Sequence, residues 1–235
     1  MMTGLDKFPA VVDHGDVGLL RIYISRCPFP AFSFFFLLTS PQLSQRRLLV
    51  TTVSWCLYLL MDIVVTPDTA AGKTGELAFG DFLCRCALGR AGAAPHKREG
   101  DGVTPLGRFT LRGILYRPDR LAAPQSVFPV APLSPDGGWC DDPDDSNYNQ
   151  LVTLPHDGHC ETLWRDDTVY DVIVVLGHND APAIPGMGSA IFLHLATPDY
   201  APTQGCVAIA RGDLLRLLAA VTPDTSIKIR AHTQN

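Results

Sequence analysis

The chain has 235 residues, a formal net charge of −5, and 46% hydrophobic and 18% charged residues, enough for one full-sized domain with its own core plus an appendage. Residues 1–60 hold five Lys/Arg against three Asp/Glu, which leaves −7 for residues 61–235. An acidic body without a basic stripe excludes the nucleic-acid binders, which need clustered Lys/Arg against phosphate. The nineteen prolines and twenty glycines lie mostly beyond residue 60 and predict a turn-rich, mainly β fold with one or two helices.

Residues 1–60 read differently from the rest. Pro28–Leu38 is a phenylalanine-rich run, and Leu48–Met61 is a second apolar stretch directly after Arg46 and Arg47. Neither reaches the roughly 18 to 20 apolar residues that span a bilayer. The basic pair followed by an apolar run imitates a signal peptide but starts far from the N-terminus. The reading favoured is a leader outside the folded domain, with Met61 as a possible start, over a membrane anchor. The domain expected is therefore 61–235.

Within that domain, strands are predicted at Asp62–Thr66, Glu76–Gly89, Arg108–Tyr116, Leu151–Leu154, Val169–Leu176, Ser189–Ala196 and Ser226–Arg230. They are rich in Val, Ile, Leu, Phe and Tyr and bounded by Gly, Pro, Asp or Asn. Tyr170–Leu176 and Ala190–Leu195 are nearly continuous apolar runs, the pattern of strands covered on both faces. Pro118–Pro143 is a long Pro/Gly/Asp-rich connection, a length usual for functional loops. One helix is predicted at Asp213–Val221, with Leu214, Leu215, Leu217 and Leu218 to one side and Thr222-Pro223 as its stop. Seven cysteines cannot all pair. Cys84 and Cys86, two apart in an apolar run, read as buried hydrophobes facing one way.

The stretch that carries chemistry is Gly188–Ile209. His194 closes an apolar strand, and twelve residues later Gly205-Cys206 opens another apolar segment. A strand that stops, loops and re-enters can bring its two ends to one sheet edge, and an imidazole beside a thiol is the minimal activated nucleophile. A free cysteine has a pKa of about 8.5, and a neighbouring imidazolium would lower it enough to give thiolate at neutral pH. Gly205 lets the backbone turn so that amide N–H groups face a developing oxyanion. Spacing alone leaves the structural reading open, since buried cysteines and strand-end histidines are common.

A resemblance sharpens this reading. His194, Thr203, Gly205 and Cys206 match the catalytic motif of the L,D-transpeptidases, cysteine-dependent peptidoglycan enzymes with a β-sandwich or barrel fold. In that motif a histidine at a strand end is followed by a variable loop and then Ser/Thr-x-Gly-Cys. Thr104-Pro105-Leu106-Gly107-Arg108-Phe109 resembles the family's Thr-Pro-x-Gly-x-Phe segment, and Gly138–Asp142 with Tyr148-Asn149 resembles a subgroup that has a Trp-containing loop. The resemblance implies Cys206 as nucleophile, His194 as its base, Gly205 at the oxyanion site, and Thr203, Gln204, His178 and Trp139 about the substrate. It implies a peptidoglycan tetrapeptide stem as donor, cut with release of D-alanine, and an amine of a second stem or water as acceptor. It calls for no metal and no organic cofactor, and it implies export to the cell envelope, with action on fragments in the cytoplasm as the alternative. Two positions depart from the family pattern. Gln204 stands where a histidine is common, and Ala208 where an arginine is common; Arg211, Arg108 or Lys97 are candidates to replace that arginine.

Two other functional classes have support in the sequence. His156, His159 and Cys160, with Cys140, His178, His194 and Cys206, could supply a zinc hydrolase if they converged. A non-catalytic wall-binding module on the same fold would tolerate Gln204 and Ala208.

Overall fold

The computed structural model describes residues 61–232; the leader expected over 1–60 lies outside the described residues. The order is β1 (Ile63–Pro67), β2 (Thr74–Phe79), β3 (Phe82–Ala87), β4 (Ala93–Ala94), β5 (Thr104–Pro105) and β6 (Gly107–Tyr116). There follow β7 (Val130–Pro132), β8 (Gly137–Cys140), β9 (Leu151–Thr153), β10 (Cys160–Thr162), β11 (Val172–Leu176), β12 (Phe192–Leu195), β13 (Val207–Ile209), α1 (Arg211–Ala220) and β14 (Ser226–Ile229). The fold is mostly β with one helix, as the composition predicts. Among the described residues no helix is long and apolar enough to cross a membrane.

Nine strands form one mixed sheet in the order β11-β12-β13-β3-β2-β1-β14-β6-β7, and β11 also pairs with β6, so the sheet closes into a barrel. β6 makes closure possible by its length. Its first residues pair with β14 and its later ones with β11, and the register shifts at Val175/Leu176. The predicted single strand over Glu76–Gly89 is instead the hairpin β2–β3, with Phe79 opposite Phe82. The turn falls at Gly80-Asp81, which interrupts the apolar run, with Gly80 at φ 60° as the first residue of a two-residue connection. Cys86 is buried and Cys84 half-buried on that hairpin.

Strands β12 and β13 run parallel and in register, with Leu193 beside Val207, His194 beside Ala208 and Leu195 beside Ile209. Because side chains alternate along a strand, each strand presents two different faces. Leu193, Leu195, Val207 and Ile209 join Val172, Val174, Ile63 and Ile227 in the barrel core, which Leu214, Leu217 and Leu218 of α1 complete. Phe192 and Cys206 belong to a second cluster with Leu133, Trp139, Leu163 and Tyr170. A small antiparallel sheet, β10-β8-β9, contributes to that second cluster. The predicted connection Pro118–Pro143 contains β7 and β8; their Pro, Gly and Asp content masks them from a hydrophobic-pattern reading.

Candidate active site

His194 and Cys206 line one cleft of about 460 Å³ together with Lys97, Glu161, Arg165, Tyr170, Thr203, Gln204 and Ala208. They reach it because β12 and β13 are neighbours in parallel register, as the strand–loop–strand reading requires. Cys206 is only 5% exposed. It donates to the carbonyl of Ala190 at 3.1 Å and accepts the N–H of Phe192 at 3.3 Å. Ala190 holds φ 51°, a left-handed conformation that costs a non-glycine residue free energy and recurs at functional sites. It directs a carbonyl at the thiol while its own N–H donates to Asn149 Oδ1 at 3.1 Å.

The imidazole of His194 donates Nδ1–H to the carbonyl of Leu195 at 3.0 Å, so its lone pair sits on Nε2. Tyr170 packs edge-on against the ring at 5.2 Å. Burial pushes His194 down to about 4, an effect that the carbonyls of Leu195 and Val169 only partly offset. Burial pushes the Cys206 thiol up to about 12; Glu161 adds to this, while the Phe192 N–H and Lys97 pull the other way. The expected imidazolium–thiolate pair is therefore corrected. Both shifts favour the neutral forms, because burial penalises the charged state of each group.

The turn before Cys206 is fixed by Thr203. Its hydroxyl donates to the carbonyl of Cys206 at 2.7 Å and accepts the N–H of Gly205 at 3.1 Å. The N–H of Gly205 is thus engaged within the turn, and the expectation that it faces an oxyanion is corrected. Gly205 is required for another reason: at φ 136°, a Cβ would sit 2.7 Å from the carbonyl of Val103. Gln204 is exposed on the cleft wall.

His178 and Trp139 do not line the cleft. His178 Nε2 bonds the carbonyl of Met187 at 3.1 Å, with burial pulling its pKa down. Trp139 is buried, edge-on to Phe192 at 5.0 Å, and its Nε1–H donates to Asn149 Oδ1 at 3.0 Å. Asn149 also donates to the carbonyls of His178 and Asn179, tying the small sheet to the loop that leads into β12. Sequence reasoning gave Asn149 no role of its own.

Of the three cations considered for the missing arginine, only Lys97 lines the cleft. Arg108 forks onto Asp62 at the surface, and Arg211 reaches the carbonyl of Arg120. Lys97 is 5% exposed, its Nζ bonds Asp101 at 2.5 Å, and its Cε lies 3.5 Å from where a Gly205 Cβ would stand. Although burial opposes it, this bond and the N–H groups of Val103 and Arg98 hold the Asp101 carboxyl below its usual range. Sequence reasoning missed Glu161, Tyr170 and Arg165. The hydroxyl of Tyr170 donates to Glu161 at 2.7 Å, and burial raises Glu161, which that bond and Arg165 partly offset. No motif marks these residues; they meet only through the fold.

The candidate metal ligands divide. Cys140, His156 and Cys160 converge, whereas His159 turns to Asp141 at 2.5 Å and His194 and Cys206 belong to the cleft. A hydrolytic zinc using His194 and Cys206 with the other ligands is therefore not assembled.

The YkuD L,D-transpeptidase catalytic domain matches the chain over residues 69–229. The protein belongs to that family. Among solved structures, the crystal structure of Mycobacterium tuberculosis L,D-transpeptidase 1 is similar, at 12% identity and a TM-score of 0.31, over 72% of this chain and 62% of that one. The chain thus spans less than two thirds of that neighbour's length. No curated protein matches the chain significantly.

Proposed function

We propose that residues 61–235 form a catalytic domain that transfers peptidoglycan stem-peptide acyl groups through a thioester on Cys206. The observation that carries this reading is the convergence of a buried thiol and a neutral imidazole in one cleft, on adjacent strands. Since both groups rest neutral, the proton moves when substrate arrives. Nε2 of His194 takes the thiol proton as sulfur attacks the peptide carbonyl, and the resulting imidazolium donates it to the leaving D-alanine amine. An acceptor amine of a second stem, or water, then gives its proton to His194, attacks the thioester and restores the thiol. Lys97 supplies the positive charge beside the turn that favours negative charge developing on the carbonyl oxygen. The work belongs at the cell envelope, outside the inner membrane, where such stems are cross-linked.

The test is incubation with a tetrapeptide stem, following D-alanine release and intact protein mass. The expected result is release together with an acyl adduct, both absent in Cys206→Ala. Wall binding without release in the wild-type protein would instead favour a binding module, the reading that Gln204 and Ala208 keep in play.

A further inference from the structure

Cys140 and Cys160 face each other across β8 and β10. The backbone of Cys140 bonds toward β9, donating to Gln150 and accepting from Asn149. Toward β10 it therefore forms a non-hydrogen-bonded pair, the arrangement in which side chains stand closest. The turn between β9 and β10 brings in His156, so that one ligand atom from each of the three residues lies within 4.8 Å of the others. Two sulfurs and an imidazole nitrogen on a single zinc, at about 2.3 and 2.0 Å, would be roughly 3.5–3.8 Å apart, within reach of small side-chain rotations. A carboxylate stands behind the imidazole: Asp145 Oδ2 lies 2.9 Å from His156 Nε2. With Nε2–H donated there, the lone pair is on Nδ1. A carboxylate orienting a histidine through its second nitrogen is the usual outer partner of a metal-bound imidazole.

We propose that Cys140, Cys160 and His156 bind one Zn²⁺ tetrahedrally, with water in the fourth position and Asp145 holding the imidazole. Thiolate and imidazole donors suit zinc over magnesium or calcium, which take oxygen. Binding replaces two thiol protons, which pass to solvent, and no electron is transferred. The three ligands lie outside the cleft lining. The metal fastens β8 to β10, and β10 carries Glu161, the partner of Tyr170 beside His194.

The experiment uses the full chain, purified under reducing conditions without chelator, and reads metal content and cobalt(II) spectra. Expected is about one zinc per chain, retained through gel filtration. Cobalt(II) in its place should give thiolate-to-cobalt charge-transfer absorption that stoichiometric zinc abolishes. Cys160→Ser and His156→Ala should lose the metal, Asp145→Asn should weaken binding 10- to 100-fold, and Cys206→Ala and Cys84→Ser should keep it. Should Cys160→Ser fail to fold, cobalt binding by the unaltered protein still decides. No retained zinc and no charge-transfer band would overturn the proposal. So would a Cys140–Cys160 disulfide in the folded protein under non-reducing mass analysis. None of these readouts depends on transpeptidase activity.

Discussion

Strands β12 and β13 present two surfaces that solve different problems. On one, Leu193, Leu195, Val207 and Ile209 pack into the barrel against α1, a dry core whose only demand is shape. On the other, Phe192, His194, Cys206 and Ala208 lie in a cluster and cleft walled in part by the small sheet, where the same degree of burial falls on ionisable groups. Burial that is favourable for a leucine drives His194 down to about 4 and Cys206 up to about 12. One strand pair thus supplies rigidity from its barrel face and a poised neutral acid–base pair from the other. The difference between the faces arises from alternation alone.

The sharpest way to break this comparison is to remove the base. His194→Gln should slow acylation of Cys206 by about 10²- to 10⁴-fold, read by intact mass against time. The same variant separates the two faces in acid. His194 is held neutral in the folded protein but titrates near 6.5 when unfolded, so its contribution to stability is complete above about pH 6.5 and is lost as pH falls toward 4. That loss is about 3 kcal/mol, seen as a falling denaturant midpoint, and His194→Gln should lack this component. On the barrel face, Leu193→Ala should destabilise by about 2–5 kcal/mol while Cys206 remains in the folded fraction's cleft, checked by urea unfolding. Smallest is Lys97→Met. Loss of the cleft cation should slow acylation about tenfold with little change in melting temperature, and a fall only in substrate affinity would assign Lys97 to binding.

The sequence makes the barrel face and the nucleophile legible because their signals are local. His194 and Cys206 are twelve residues apart and flanked by apolar strands, and the leucines of α1 repeat at helical spacing. Of the small sheet only β9, within the predicted Leu151–Leu154, is legible in this way. Gly137, Gly138 and Asp141 read as loop, and β8 forms only because β9 and β10 flank it. The Asn149 hub, the Tyr170–Glu161 pair and the Cys140–His156–Cys160 cluster each join residues from separate segments, so only the closed fold brings them together. The neutral state of the His194–Cys206 pair was hidden for a related reason: adjacency in sequence predicts contact, but the burial that sets charge belongs to the whole fold.

The most direct measurement is the intact mass of the protein after incubation with a carbapenem, whose strained amide reports an activated thiol, beside a Cys206→Ala control. A single stoichiometric adduct, absent from the control and formed far more slowly by His194→Gln, is the result predicted. A folded protein that forms no adduct, or one acylated equally well without Cys206, would contradict the assignment of this cleft as the catalytic site.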